Sequence, residues 1–404
     1  MKRVFALVLA LALTLTAFTA CGGSKPSGST TTPAASAEPT PEPTPVYDPD
    51  PLTGREKPAG FNGGRPVAIM INNIQQCRPQ RGLNEAKVLY ESKVEGGITR
   101  FMGLFEDYEN LPDIGPVRSA RDQFFRVIMP FQPLYVHIGR SGITQQYIDD
   151  ADYGDLNVDG NDTTITYWDQ NRRNQGFAQE HTAYTNSEWL QKYVDKKGID
   201  MDRELTSPIF DFVNYNEPVR ALGGEAATSI GITHSQSYRT YFDYDTATSK
   251  YMMSQYSSAR GVTPTVDEND KEQVGFNNVF VLFADISAYP YPGGNLDKNG
   301  NDKGDPDYQK VDYTFGGLGY YFNNGKCEKI RWFKGATNEV LRFTDESGSS
   351  SLKINPGTSY VGIVDLDEYD RPGHPAPEPD ASTSAPAATP DAAASDAAAE
   401  KVAE

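Results

Sequence analysis

Three arginines in the N-terminal half have the residue type and spacing of an anion-binding site. Arg118 and Arg121 lie three residues apart in the run Gly115 to Asp122, where the pattern predicts the start of a helix. Residues three apart share one face of a helix, and helix N-termini attract anions. Guanidinium groups bind phosphate or carboxylate through paired hydrogen bonds. We therefore predict ligand binding by Arg118 and Arg121, joined by Arg100 from the preceding hairpin.

A structural role is the alternative for these arginines. Arg118 and Arg121 would then pair with Glu91, Glu95 or Asp122 and brace the domain. The sequence leaves both interpretations open.

His181 is a further candidate for ligand contact. It lies between the polar and aromatic stretch YWDQNRRNQGFAQE and Tyr184. A buried imidazole at such a position orients a loop or lines a pocket, and an isolated histidine is more often structural than catalytic. Ligand contact and a structural role both stay open for His181.

Established catalytic motifs are missing from the sequence. It has no Gly-x-Ser-x-Gly, no His-Glu-x-x-His and no cysteine near a histidine. The catalytic residues therefore stay unknown, and we expect a protein that acts by binding. The alternative is an enzyme that transfers phosphate to, or hydrolyses, envelope glycopolymers through the arginine-rich block. An apolar groove beside the arginines would favour the enzyme, and a shallow polar cleft would favour binding.

No cofactor and no metal site is expected. The histidines lack metal-ligand spacing to any cysteine. The runs Asp155 to Gly160 and Asp297 to Asp302 resemble the opening of a calcium loop but lack its final glutamate, and short runs of this kind are usually turns. Cys77 and Cys327 are expected to be buried and unpaired, with a disulfide between them as the alternative.

The N-terminus predicts a lipid anchor. Lys2 and Arg3 precede an uncharged run that stops at Cys21. The sequence Phe18-Thr19-Ala20-Cys21 resembles the lipobox of bacterial lipoproteins, whose cysteine is diacylated, although Leu is usual where Phe18 stands. Two acyl chains hold a protein stably on a bilayer. We predict a signal peptide over residues 1–20 and a body on the outer face of the cell membrane; an ordinary secretion signal is the alternative.

Composition divides the remaining chain into a tether, two domains and a tail. Residues 21–57 and 371–404 are rich in Pro, Ser, Thr or Ala, so we predict that both are disordered. Residues 58–205 alternate strand and helix patterns, which predicts an α/β domain. Residues 206–370 carry short apolar runs between turns, which predicts a mainly antiparallel β domain.

The N-terminal domain has five readable elements. The sequence predicts a strand at 67–73, a helix leading into a strand at 83–90, a hairpin at 91–105 that turns at Gly96-Gly97, a helix ending near Pro130, and a strand at 134–138.

Five motifs in order resemble one known family. They are RPVAIMINNIQQCRPQ, YESKVEGGITRFMGLF, IGPVRSARDQFF, YVHIGRSG and HTAYTN. This pattern is similar to that of the YerB-like bacterial lipoproteins, whose two domains are of unknown function. In that family the run Glu180 to Tyr184 usually reads Pro-His-Asn-Leu-Tyr, so His181 and Tyr184 match. The resemblance covers about residues 60–370 and implies an extracytoplasmic location without implying a reaction.

The charge distribution bears on the partner. The formal net charge is -18, yet residues 65–140 hold ten Lys or Arg against eight Asp or Glu, a balance of +2. Nucleic-acid binding requires broad basic surfaces, so we expect no nucleic acid. The sequence predicts a membrane contact through the lipid, and as ligand an anionic envelope glycopolymer or lipid, or an envelope protein.

Overall fold

The computed structural model describes residues 49–57, 64–161, 163–203, 205, 207–290 and 307–368. The predicted signal peptide, Cys21, most of the predicted tether, the loop Asp297 to Asp302 and the predicted tail 371–404 lie outside these residues.

Strands dominate the described chain. They are β1 Val67–Asn72, β2 Val88–Lys93, β3 Thr99–Phe105, β4 Leu134–His137, β5 Asn157–Asp159, β6 Tyr167–Trp168, β7 Ala183–Tyr184, β8 Ser229–Thr233, β9 Arg239–Asp245, β10 Lys250–Ser257, β11 Gly261–Pro264, β12 Gly275–Phe276, β13 Asn278–Ala284, β14 Ile286–Ala288, β15 Gln309–Val311, β16 Gly317–Asn323, β17 Lys326–Phe333, β18 Arg342–Asp345 and β19 Ser359–Asp365.

Helices are short and lie mostly in the N-terminal half. The α-helices are α1 Asp122–Ile128, α2 Gly142–Asp150, α3 Gln170–Asn174 and α4 Ser187–Lys197. Single 3-10 turns occupy Gln75–Cys77, Glu95–Gly97, Met129–Phe131, Gln179–His181 and Leu366–Glu368. Within the described ranges no helix is long and apolar enough to cross a membrane.

Local chemistry explains where the longer helices begin and end. The Ser141 hydroxyl accepts a hydrogen bond from the backbone N–H of Thr144 and caps α2. Asn186 caps α4 in the same way, and Gly198 ends that helix in the left-handed region at φ 65°. Both caps satisfy backbone groups that the helix itself leaves without partners.

Ten strands form one sheet that spans both halves of the chain. Their order is β18-β17-β16-β13-β19-β2-β3-β1-β4-β5. The strands β1, β4 and β5 are parallel neighbours, and β19 runs parallel to both β2 and β13. Because β3 is antiparallel to β1 and to β2, the strands β1, β2, β4, β5, β13 and β19 all point the same way. Their carboxyl ends therefore share one edge of the sheet, the position where ligands bind in open α/β folds.

A second sheet and the helices cover the two faces of the large sheet. The second sheet has the order β11-β10-β9-β8, with β12 beside β10. Its residues Phe242 and Met253 share one apolar core with Ile69 and Ile71 of β1. The other face of β1, with Met70, packs in a separate core with residues of α1. This alternation places the two sides of one strand in two cores.

The predicted fold class is confirmed, with one local error. The N-terminal half is α/β with parallel strands, and the C-terminal half is mainly antiparallel β. The helix predicted before β2 is wrong, because residues 83–85 form a turn and residues 86–87 are not helical. The backbone N–H groups of Gly82 and Asn84 donate to the Asp267 carboxylate at 3.0 Å each, and the Lys87 N–H donates to the Leu104 carbonyl of β3 at 2.9 Å and not to a helical carbonyl. The domain boundary at residue 206 stays a prediction.

The end of the predicted tether is part of the folded body, which corrects the boundary placed at residue 57. We call residues 49–57 the N-terminal strap. Leu52 is 1% exposed, and the Pro51 carbonyl accepts a hydrogen bond from the Ile209 N–H at 2.8 Å. Thr53 accepts a backbone bond from Gly357 at 2.8 Å, and Arg55 Nη2 donates to Asn277 Oδ1 at 2.7 Å. The composition of the segment gave no sign of these contacts, because Leu52 is its only large apolar residue that is buried.

Removing the strap is expected to destabilise the body. A chain that starts at residue 58 loses one buried leucine and three hydrogen bonds, about 3–5 kcal/mol of unfolding free energy. Its melting temperature should fall by roughly 5–10 °C relative to a chain that starts at residue 47. Differential scanning calorimetry of the two chains measures this. Equal melting temperatures would show that the strap contacts contribute nothing.

Candidate functional site

Two of the predicted site arginines converge on one carboxylate. Arg100 Nη2 donates to Glu95 Oε1 at 2.8 Å, and Arg121 Nε donates to Glu95 Oε2 at 2.8 Å. Arg121 Nη2 also bonds to Glu95 Oε1. We call these three side chains the Glu95 brace. It joins the turn after β2, the start of β3 and the start of α1.

Backbone contacts extend the brace. Arg100 Nη1 donates to the Ser119 carbonyl and Arg121 Nη1 to the Ala120 carbonyl, each at 2.7 Å. The exposed fractions of Arg100 and Arg121 are 0% and 3%. These contacts agree with the bracing alternative, while ligand binding by these arginines stays a prediction.

Arg118 and His181 lie nearer the end of β1. Arg118 is buried between β1 and β4, where its N–H bonds to the Met70 carbonyl at 3.0 Å and its carbonyl accepts from Ile138 at 3.1 Å. His181 is also buried, and its Nδ1 lies 3.2 Å from Asn72 Nδ2. The structure therefore places His181 beside Asn72, the last residue of β1.

Both cysteines are unpaired, as predicted, but only Cys77 has the predicted burial. Cys77 is buried and Cys327 is partly buried. Burial raises the pKa of the Cys77 thiol to about 12, against the lowering influence of Arg78, Arg172 and Arg118. The thiol instead donates to the Asn72 carbonyl at 3.3 Å. A protonated, buried thiol is not a nucleophile.

The calcium-like run at Asp155 to Gly160 consists of a turn at Asp155 and Leu156 followed by β5. Asp159 Oδ1 accepts backbone N–H bonds from Gly139 and Asn161 at 3.0 Å each, and Arg140 Nη1 lies 2.6 Å from Asp159 Oδ2. Protein donors thus occupy both carboxylate oxygens. Across the described part of the chain, no group of three or more His, Cys, Asp or Glu residues is placed to hold a metal ion.

A buried carboxylate lies at the centre of the polar contacts between the two sheets. Glu91 Oε2 accepts from the Tyr360 hydroxyl at 2.6 Å and from the Thr240 hydroxyl at 2.8 Å, with His234 Nε2 at 3.4 Å. Glu91 Oε1 accepts from the Thr99 hydroxyl at 2.7 Å. Burial alone would raise the pKa of the Glu91 carboxyl, but the His234 charge and the donated hydrogen bonds lower it to about 2.

Amide side chains continue from Glu91 toward the surface. Asn73 Nδ2 donates to Glu91 Oε1 at 3.0 Å. Asn73 Oδ1 accepts from Gln80 Nε2 at 3.0 Å and from Gln255 Nε2 at 3.1 Å. Gln80 Nε2 also bonds to the Asn72 carbonyl at 3.1 Å. We call Asn73, Gln80 and Gln255 the amide chain.

The amide chain ends at a pocket of about 240 Å³. One wall comes from the loop after β1 and the other from β10 and β11. Its polar lining includes Gln75, Arg78, Gln80, Gln255, Arg260 and Thr263, and Pro79, Pro264 and Val266 contribute apolar surface. Two arginines and no carboxylate line it. We call it the Arg78 pocket.

Two polar atoms of the Arg78 pocket have no protein partner. Arg78 Nη1 and Nη2 donate to the carbonyls of Tyr256 and Asn73 at 2.9 and 3.1 Å, but Nε has no hydrogen-bond partner among the described residues. The same holds for Oε1 of Gln80, whose side chain is 0% exposed. A buried polar atom without a partner costs about 1–3 kcal/mol. Arg78 and Gln80, which line the pocket, therefore hold one buried donor and one buried acceptor that still need partners.

Glu268 holds the two walls of the pocket together. Its Oε2 accepts from Arg172 Nη1 at 2.6 Å and from Arg81 Nε at 2.9 Å. Its backbone N–H donates to the Gln80 carbonyl at 2.8 Å, and Arg172 Nη2 donates to the Pro79 carbonyl at 2.9 Å. Hydrogen bonds from Glu268 and Arg172 thus fix the loop that carries Arg78 and Gln80, which preorganises the pocket.

Sequence reasoning missed the pocket residues for a physical reason. The polar run Gln75 to Gln80 directly follows a buried strand, which was a usable signal for one wall. The other wall, with Gln255 and Arg260, lies about 180 residues away on an ordinary antiparallel hairpin. Only the pairing of the two halves brings them together.

Comparison with known proteins identifies the family. The model described as "Protein of unknown function (DUF3048) N-terminal domain" matches residues 52–200, and the corresponding C-terminal domain model matches residues 230–361. The chain belongs to this DUF3048 family. Both family domains contribute a wall to the Arg78 pocket, and pockets favour such junctions.

Two Bacillus subtilis results agree with this assignment. The chain is 28% identical over 322 residues to the strain 168 protein named "Putative lipoprotein YerB", covering 78% of this chain and 86% of that protein. It also resembles the crystal structure of YerB protein from Bacillus subtilis, with a TM-score of 0.62 and 24% identity, over 79% of this chain and 98% of that one. The structural likeness shows the fold. The resemblance to the YerB-like lipoproteins is thereby confirmed.

Proposed function

We propose that this protein is a lipid-anchored binding protein on the outer face of the cell membrane, and that its Arg78 pocket takes an anionic component of the envelope. The pocket is the observation that carries the proposal. It combines two arginines, no lining carboxylate and an unpartnered guanidinium N–H at a junction of the two family domains. A relative named as a lipoprotein supports the location.

Binding is favoured over catalysis by the character of this pocket. Its lining combines amide, hydroxyl and guanidinium groups with Pro79, Pro264 and Val266, and its volume of about 240 Å³ is too small for the tail of a polyprenyl-linked substrate. Neither its cysteine neighbour nor its amides can serve as a nucleophile or general base near neutral pH. An envelope glycopolymer transferase or hydrolase that uses the arginine-rich block remains the alternative.

The anchor has a direct test. Cys21→Ser removes the thiol that is acylated, so the body should leave the membrane fraction while its melting temperature stays unchanged. Metabolic labelling with a radioactive fatty acid followed by fractionation measures acylation and membrane association, and differential scanning calorimetry measures the melting temperature. A Cys21→Ser protein that stays on membranes, together with an unlabelled wild type, would contradict the anchor.

Anion binding is tested with inorganic phosphate and glucuronate by isothermal titration calorimetry on the full chain in detergent. Arg78→Gln should weaken binding about 10-fold or more, because a charged hydrogen bond contributes about 1.5–3 kcal/mol. Arg260→Gln, on the rim, should weaken it about 3-fold. Arg342→Gln is the matched control, since Arg342 is 68% exposed on β18 and lies outside the pocket. Equal affinities for all four proteins, or no binding of either anion by the wild type, would overturn the proposal.

A further inference from the structure

The ionised Glu91 carboxylate fixes the direction in which the amide chain points. A carboxylate can only accept hydrogen bonds, so the Asn73 atom 3.0 Å from Glu91 Oε1 must be its NH2 group. The Asn73 oxygen then faces Gln80 and Gln255, and both must present their NH2 groups to it. The Asn72 carbonyl, which also only accepts, demands the same orientation of Gln80.

This orientation determines what the side-chain oxygens of Gln80 and Gln255, two lining residues of the Arg78 pocket, can bind. Because the NH2 groups of Gln80 and Gln255 both donate to Asn73 Oδ1, the carbonyl oxygens of these two amides point away from Asn73. Gln80 Oε1 has no partner in the described chain, and Gln255 Oε1 has only a long bond of 3.4 Å from the Thr265 hydroxyl. Neither amide can flip without setting acceptor against acceptor. Two lining glutamines therefore hold amide oxygens with little or no hydrogen bonding, while the lining residues Arg78 and Arg260 supply donors.

We infer that the ligand of the Arg78 pocket is a hydroxyl-bearing anion about the size of one sugar unit, and that Gln80 selects it by accepting a hydrogen bond from one of its hydroxyls. This inference rests on the proposed function. The arginines take the carboxylate or phosphate, and the amide oxygens take neighbouring hydroxyls. A volume of about 240 Å³ accommodates a small ligand. Acidic sugars and polyol phosphates share this chemistry.

The test compares small probes on the wild-type full chain by isothermal titration calorimetry. Glucuronate carries a carboxylate and hydroxyls, glycerol phosphate carries a phosphate and hydroxyls, and cyclohexanecarboxylate has the carboxylate and a ring without hydroxyls. Methyl glucoside has the hydroxyls without charge, and N-acetylalanine has a carboxylate beside an amide N–H. We expect glucuronate or glycerol phosphate to bind about 5- to 10-fold more tightly than each of the other three. Which of the two binds better distinguishes a carboxylate source from a phosphate source.

Gln80→Met should remove the preference by bringing glucuronate and cyclohexanecarboxylate within about 2-fold of each other. Gln76→Met is the matched control, because Gln76 is an exposed glutamine on the same loop and lies outside the pocket. If Gln80→Met does not fold, the wild-type comparison alone decides.

The outcomes separate this inference from the proposed function. Equal affinity of glucuronate and cyclohexanecarboxylate would overturn the hydroxyl requirement and leave anion binding intact. Tighter binding of N-acetylalanine would replace the sugar or polyol class by a peptide carboxyl terminus. Failure of every anion to bind, inorganic phosphate included, would overturn both.

Discussion

Glu95→Ala is expected to lower the free energy of unfolding by about 3–5 kcal/mol, because it leaves two buried guanidinium groups without the carboxylate they share. Arg100 and Arg121 are 0% and 3% exposed, and both donate to Glu95. Neither side chain can recover water without opening the contact between the β2–β3 turn and the start of α1. Urea unfolding followed by circular dichroism measures the loss. Glu85→Ala, at an exposed glutamate, is the control and should change stability by less than about 0.5 kcal/mol.

The arginine variants separate bracing from ligand binding. If Arg100 and Arg121 only brace the domain, Arg121→Ala lowers the melting temperature and leaves the affinity for inorganic phosphate unchanged. If they bind the anion, as their sequence spacing predicts, Arg121→Ala weakens phosphate binding about 10-fold or more. The contacts to Glu95 favour the first result. A binding loss without a stability loss would restore the ligand-site prediction for Arg100, Arg118 and Arg121.

Strand positions follow from the sequence wherever apolar residues make the pattern unambiguous. The apolar run that begins at Val67 predicted a buried strand. Every position from Val67 to Asn72 is buried in the structure, as expected for a strand covered on both faces. The hairpin was predictable because two adjacent glycines favour a turn that needs positive φ. Gly96 and Gly97 adopt φ of 64° and 68° in the structure. The segment 83–87 was misassigned because its backbone N–H groups bond to partners distant in sequence, Asn84 to the Asp267 carboxylate and Lys87 to the Leu104 carbonyl.

The site was only partly predictable, because its contacts also depend on partners that are distant in sequence. The sequence predicted that Arg100, Arg118 and Arg121 would converge on a ligand, with pairing to Glu91, Glu95 or Asp122 as the alternative. Arg100 and Arg121 both bond to Glu95, a choice among these partners that the sequence could not make. Polar side chains at the end of β1 were visible as Asn72 and Asn73. Their partners on β10 were not, because the pairing of two family domains has no local signal in either one.

Acidification is expected to destabilise the protein through Glu91, the carboxylate that orders the amide chain. The pKa of this carboxyl is about 2 in the folded protein against an ordinary value of 4.5. A depressed folded pKa means that the stabilisation is fully present above about pH 4.5 and is lost as the pH falls from there toward 2. The difference corresponds to about 3 kcal/mol. Below this range the protonated carboxyl no longer requires donors from Asn73, Tyr360 and Thr240.

Glu91→Gln isolates this contribution from those of the other carboxylates. The variant should be about 3–5 kcal/mol less stable than the wild type at pH 7, since it breaks charged hydrogen bonds in a site that is 1% exposed. Between pH 4.5 and 2 its stability should fall less steeply than that of the wild type, so the two curves converge. Urea unfolding at a series of pH values measures both effects, with Glu85→Gln as the control that keeps the wild-type slope. Parallel curves would show that Glu91 is not charged in the folded protein, and the fixed polarity of Asn73, Gln80 and Gln255 would then lose its physical basis.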